Sequence, residues 1–275
     1  MFLRVTARAL ATILLAAVGE AGCSGGSFEV AQSTSDAGAS GGADAAADAS
    51  STGWCDEHAA GAVLCEDFDG VGSISELVTR WSGEIGGNGT LSLSQPAGAV
   101  SPPHALLATA GNNDHAYVAH APWPLAGKPS TIRLEYDLRV DHQAVGFLDA
   151  AVLCAIVLGT NPQSDAIVYL YIGNNGALNL GWNDSQAAGR NFHFTVLNTT
   201  PTVGQWSGRW AVSANLNDGS LTVTHDGVNV GRSNGTLKQA DLSPTAITLA
   251  AGLSNDTGNT GTVSVAIDNL VFDTK

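Results

Sequence analysis

Trp206 to Gly231 reads WSGRWAVSANLNDGSLTVTHDGVNVG, and this stretch decides the fold class. It contains three runs of alternating apolar and polar residues separated by Asp218-Gly219 and Asp226-Gly227, dipeptides that tolerate the positive φ of a tight hairpin turn. With each dipeptide as a two-residue loop, Leu216 faces Leu221, Ala214 faces Val223 and Val212 faces His225. In the second hairpin Val228 faces His225 and Val230 faces Val223. The apolar set gathers on one face. Arg209, Ser213, Asn215, Thr222, Thr224 and Asn229 occupy the other, so the meander buries one side and leaves the other polar.

Working outward, fourteen such runs lie between Val63–Phe68 and Val263–Phe272, broken by Gly, Asn, Asp and Pro, with no helical-period segment longer than the N-terminal apolar run. This pattern predicts an all-β chain, a two-sheet antiparallel jelly-roll sandwich occupying residues 54–275 as one domain. The formal charge of -14 excludes nucleic acid and anionic membrane surfaces as partners, since binding phosphates takes clustered Lys or Arg.

Residues 1–22 carry Arg4 and Arg8 ahead of ALATILLAAV, a run too short to span a bilayer and built as an export signal. The Ala21-Gly22-Cys23 that follows resembles the lipobox of bacterial lipoproteins, which implies lipidation at Cys23 and a membrane attachment through that anchor alone. Simple secretion after Ala21 is the alternative. Residues 23–53 are mostly Ala, Gly, Ser and Asp with only Phe28 and Val30 as sizeable apolar side chains, a linker with a coil span on the order of 30 Å. The expected location is therefore the outer membrane or cell surface. In an oxidising compartment Cys55 and Cys65 are expected to form a disulfide, while Cys154, inside AAVLCAIVLG, reads as a buried free thiol.

Four segments in order, LCEDFDG at Leu64 to Gly70, SPPHALLATA at Ser101 to Ala110, the meander from Trp206 and VSVAIDNLVFD at Val263 to Asp273, resemble the concanavalin A-like lectin and glucanase superfamily, in particular its laminin-G-like jelly rolls. The resemblance covers the whole of residues 54–275. It implies two curved sheets, a concave face that receives sugars, and a structural calcium ion. Here the calcium ligands would be Asp67, Asp69 and Asp268, because the first and last strands lie side by side in such folds.

Alternation supplies the candidate ligand face. Glu135, Asp137 and Arg139 point one way from their strand, Tyr169 and Tyr171 share a side of theirs, Asn191 and His193 share a side of a third, and Trp182 sits at a strand end. Such a mixture of hydrogen-bonding groups and ring faces suits a glycan. Asn234, opening an Asn-Gly-Thr triplet, reads as a turn. The leading expectation is a surface-tethered carbohydrate-binding or adhesion module without catalysis. One alternative is a polysaccharide-degrading enzyme. Glu135-x-Asp137-x-x-x-Asp141 resembles the catalytic strand of family 16 glycosidases, although Arg139 would keep nearby carboxylates ionised. Arg133-Leu134-Glu135, with Tyr171 and His193 as acid and base, resembles the jelly-roll polysaccharide lyases. The second alternative is a structural envelope protein.

Overall fold

The computed structural model describes residues 53–59, 61–111, 114–125, 127–143, 150–160, 165–173, 176–185, 192–256 and 261–275. The export signal, Cys23, the linker up to residue 52, and Asn191 lie outside the described residues.

In chain order the elements are α1 (Trp54–His58), β1 (Leu64–Glu66), α2 (Ile74–Arg80), β2 (Glu84–Gly86), β3 (Thr90–Ser94), β4 (Ala105–Ala110), β5 (Asp114–Ala119) and β6 (Trp123–Pro124). There follow β7 (Thr131–Gln143), β8 (Ala150–Leu158), β9 (Ala166–Ile172), β10 (Leu178–Asn183), β11 (Phe192–Thr199) and β12 (Trp206–Asn215). The last are β13 (Ser220–His225), β14 (Val228–Thr236), β15 (Ala246–Asp256) and β16 (Val263–Thr274).

All strand pairs are antiparallel. Sheet A runs β14-β13-β12-β7-β16-β4-β3 with β1 on β16, and sheet B runs β11-β10-β9-β8-β15-β5-β2 with β6 on β15. The inner residues of both sheets form one core, including Leu134, Tyr136, Leu138, Ile156, Val168, Leu170, Trp182, Trp210, Val212 and Phe272. The two sheets therefore pack as the expected jelly-roll sandwich, held by burial of apolar side chains contributed alternately along each strand.

The first hairpin departs from the two-residue loop. Val212 pairs with Val223 and Ala214 with Leu221, a slip of two residues. The polar side chains of the loop cause it: Asn215 Oδ1 accepts from Asn217 N, Asp218 Oδ1 accepts from Ser220 N, and Gly219 N donates to Asn215 O. Together they close a longer loop. A shift of two preserves parity, so the apolar face stays inward. In the second hairpin His225 pairs with Val228 as expected, and Asp226 and Gly227 both have positive φ. Beyond it Val223 pairs with Gly231 instead of Val230, because the register shifts between Val223 and Thr224 and leaves Val230 as the extra residue of a bulge.

Two short α-helices, a 3-10 turn at Gln239–Asp241 and the strands β2 and β6 go beyond the fourteen expected runs. Helix α2 had a legible start: Ser73 Oγ accepts from Glu76 N, and Glu76 Oε2 accepts from Gly72 N. Its Arg80 and the following Trp81 both donate to buried Glu66, tying α2 to β1. Cys55 and Cys65 are bridged as expected, which fastens α1 to β1, and Cys154 is a buried free thiol.

Candidate functional site

The expected ligand residues are divided among separate surfaces. Glu135, Asp137 and Arg139 lie on the outer face of sheet A, on β7. Arg209, placed opposite them on β12, donates to Glu135 through Nε, to Asp137 Oδ2 at 3.2 Å and to Asn269 O at 3.1 Å. Arg133 Nε reaches Glu135 Oε2 at 2.7 Å. Burial opposes the charge on Glu135, yet the two guanidiniums outweigh it and hold its carboxyl below its ordinary value. Arg139 is turned to Asp141 and to Ala97 O. These carboxylates are locked in ion pairs. A cavity of about 560 Å³ between α1 and this face is lined by Trp54, His58, Glu135, Arg209, Asp273 and Lys275 among others. Trp54 is unsuited to stack on a sugar there, since His58 covers one side of its ring at 4.8 Å and Arg209 lies over it at 4.5 Å.

At Asp268 and Asn269 strand β16 changes partner, from β4 up to Ile267 to β1 from Leu270. Asp268 and Asn269 are fully buried. Ser101 N donates to Asp268 Oδ2 at 3.0 Å, Asn269 N to Asp268 Oδ1 at 2.8 Å, and Asn269 Nδ2 to Asp137 Oδ2 at 2.8 Å. Ser101 Oγ stands 3.0 Å from Asp268 Oδ1 and 2.7 Å from Asn269 Oδ1. Burial pushes the Asp268 carboxyl up to about 7 against these donors, with Asp137 adding to the rise. Burial likewise raises Asp69 and Asp137.

The calcium ion implied by the superfamily resemblance requires several oxygen ligands converging on one point. The residues do not fit it. Asp67 accepts from Asp69 N and lies 3.5 Å from Cys55 N, Asp69 accepts from His104 N, and both oxygens of Asp268 already have donors. Among the described residues no three His, Cys, Asp or Glu side chains gather to hold a metal.

Tyr169 and Tyr171 face outward from sheet B, on the opposite side of the sandwich from Glu135. They belong to a second apolar cluster with Tyr117, Val152, Val157 and Ile167. A Cβ at Gly181, across from Tyr169 on β10, would meet Tyr169 Cε2 at 2.4 Å, so the glycine lets this ring lie over the neighbouring strand. Both tyrosines are buried, at 1% and 7% exposure. As contact residues they are therefore corrected: the ring faces open to solvent belong to the next strands.

Those faces are on β11, an end strand of sheet B. Phe192, Phe194 and Val196 share the outer face with Tyr171, and the ring centroids run Tyr171 to Phe192 at 6.1 Å and Phe192 to Phe194 at 5.8 Å. Phe194 is 49% exposed. His193 points the other way, opposite Tyr171, which separates the expected acid from the expected base. Its ring stacks on buried Trp182 at 5.1 Å, and its Nε2 is 3.0 Å from Asp184 Oδ2. Lys238 Nζ lies 3.1 Å from the same oxygen. Trp182 is thus a buttress for His193 rather than a stacking surface, because its own ring is fully buried. A cleft of about 380 Å³ wraps this edge, lined by Phe192, His193, Phe194, Thr195, Val196 and Asn234. Asn234 is carried in from β14 of sheet A and fixed by its N–H to Thr195 Oγ1 at 3.2 Å.

Sequence reasoning singled out His193 and Trp182. It missed Asp184, which meets His193 across neighbouring strands of sheet B, and Thr195, and it read Asn234 as a turn, whereas Asn234 lies in β14 and meets Thr195 of the other sheet.

No protein-family model matches the chain, and no curated protein matches it in sequence. Solved structures share its fold. A sialidase superposes at TM-score 0.51 with 16% identity over 77% of this chain, which spans 18% of the sialidase's length. The cellulose induced protein Cip1 superposes at TM-score 0.51 with 10% identity, covering 76% of this chain and 96% of Cip1. The carbohydrate recognition domain of Emp47p aligns at TM-score 0.46 with 13% identity, over 70% of this chain and 88% of the domain.

Proposed function

We propose that this protein is a non-catalytic carbohydrate-binding or adhesion module, exported and held at the cell surface by a lipid on Cys23. The observation that carries the reading is the cleft wrapping β11, lined by exposed aromatic carbon on one side of the strand and by an oriented imidazole, a hydroxyl and an amide. Sugars present apolar C–H faces and a rim of hydroxyls, and this pairing of ring and hydrogen-bonding group answers both. A jelly-roll fold shared with a sialidase and a cellulose induced protein agrees with it.

Binding is favoured over turnover on specific grounds. A glycosidase needs both carboxyls free to reach the glycosidic bond, whereas Glu135 is tied to Arg209 and Arg133, and Asp137 is buried with its Oδ2 shared between Arg209 and Asn269. The lyase pair Tyr171 and His193 projects from opposite faces of one sheet.

The test is a glycan array with the full chain and its Phe194→Ala variant, followed by reducing-sugar and unsaturated-product assays. Binding that is lost in the variant, without turnover, is expected. Turnover would move the protein to the enzyme class, and silence on the array would leave a structural envelope role. Mass spectrometry of the mature N-terminus tests the anchor: lipid on Cys23 supports it, and an unmodified N-terminus would make the protein secreted.

A further inference from the structure

We propose that the β11 cleft takes a neutral, extended, β-linked pyranose chain lying along the strand edge, with two successive sugar rings on Phe192 and Phe194. The proposal rests on the carbohydrate-binding reading and adds the class of glycan.

Three observations carry it. First, the two rings are 5.8 Å apart with planes 22° from parallel. Directly stacked rings would sit about 4 Å apart, so these two are offset along the strand. Side chains at alternate positions of a strand repeat at roughly 6.6 Å, and this pair is spaced like consecutive rings of an extended β-linked chain, whose apolar faces present themselves in regular succession. An α-linked chain coils and cannot keep two consecutive rings on a straight strand.

Second, the lining holds no carboxylate, ammonium or guanidinium. Phe192, Phe194, Thr195, Val196 and Asn234 are uncharged side chains, and His193 is turned to Asp184. The nearest ammonium, on Lys238, is already committed to Asp184. A polyuronate would bring a carboxylate on every residue to a cleft whose lining, among the described residues, includes no Lys or Arg, on a chain of formal charge -14. Repulsion without compensation disfavours it.

Third, polar groups line the same cleft from the other side of the strand. His193 and Thr195 alternate with Phe192 and Phe194 along β11 and so face the opposite way, and Asn234 from β14 is joined to Thr195 there. A chain laid parallel to the edge meets ring faces and hydrogen-bonding groups along its whole length.

Isothermal titration of the full chain with linear β-1,4-linked glucohexaose, its α-1,4-linked counterpart and a hexamer of β-linked uronate tests this. The β-linked neutral hexamer should bind, with Phe192→Ala and Phe194→Ala each weakening it at least tenfold, while Val228→Ala, at the distant exposed tip of the β13–β14 hairpin, leaves it unchanged. Phe194 is half exposed, so its truncation does not threaten the fold. If the uronate or the α-linked chain binds in its place and Phe194→Ala abolishes that binding, the glycan class is wrong and the carbohydrate reading survives. If the β-linked hexamer binds equally well to both Phe variants, the site is wrong. If none of the three binds, the proposal and the reading beneath it both fall.

Discussion

The buried cluster at Asp268 makes a prediction about pH. The Ser101 hydroxyl has one hydrogen but faces two acceptor oxygens, Asp268 Oδ1 at 3.0 Å and Asn269 Oδ1 at 2.7 Å. If Asp268 carries a proton on Oδ1 and donates it to Ser101 Oγ, the hydroxyl hydrogen is released to Asn269, and every group is satisfied. Hydrogen counting therefore agrees with burial, which pushes this carboxyl up to about 7 from its ordinary 3.8. The sign follows. Between those two values the folded chain keeps a proton that the unfolded chain has released, so stability contributed by this group is lost as pH rises from about 4 through about 7. At about 1.4 kcal/mol per pH unit, the loss from pH 5 to pH 8 is roughly 2–3 kcal/mol, or a fall of roughly 5–10 °C in midpoint for a domain of this size. Glu66, Asp69 and Asp137, all raised by burial, act in the same direction, whereas His115, lowered by burial, acts in the opposite one below its ordinary value. The difference between wild type and Asp268→Asn isolates the one group. Asn cannot titrate, and its Nδ2 would confront the Ser101 N–H, so the variant should melt lower at both pH values but lose most of the slope between them. Thermal melts at pH 5 and pH 8 decide it: an equal slope in the two proteins refutes the buried proton.

Reduction of the Cys55–Cys65 bridge, or Cys65→Ser, frees α1 from β1 and should cost on the order of 3 kcal/mol by loop entropy, read as a lowered denaturant midpoint. Gly181→Ala drives a methyl group to 2.4 Å from the Tyr169 ring and should destabilise by about 1–3 kcal/mol, detectable by the same titration. Millimolar calcium should leave the melting midpoint where a chelator leaves it, because the carboxylates near the first and last strands are occupied by N–H donors; a calcium-dependent rise lost in Asp268→Ala would restore the ion.

Much of the fold was legible because period-2 alternation and Asp-Gly turns are local signals, and each of the fourteen runs overlaps a strand. The slip at Asp218 arose from side-chain hydrogen bonds that lengthen a loop, something a dipeptide does not reveal, and parity protected the inward face. The site was harder. Alternation shows which residues of one strand share a side, yet it does not say which sheet the strand enters, so Glu135 and Tyr169 looked like neighbours although β7 and β9 lie in different sheets. Nor does it mark a strand as the end of a sheet. Phe194 has the pattern of a core residue, yet it faces outward from β11, the last strand of sheet B among the described residues, and its ring is half exposed.

Mapping backbone amide shifts of the full chain on adding linear β-1,4-linked glucohexaose tests the central claim most directly. The account predicts saturable shifts confined to residues 192–196, Asn234 and the adjoining Trp182 and Asp184 backbone. Shifts centred on Glu135, Arg209 and Trp54 across the sandwich, with β11 silent, would contradict it.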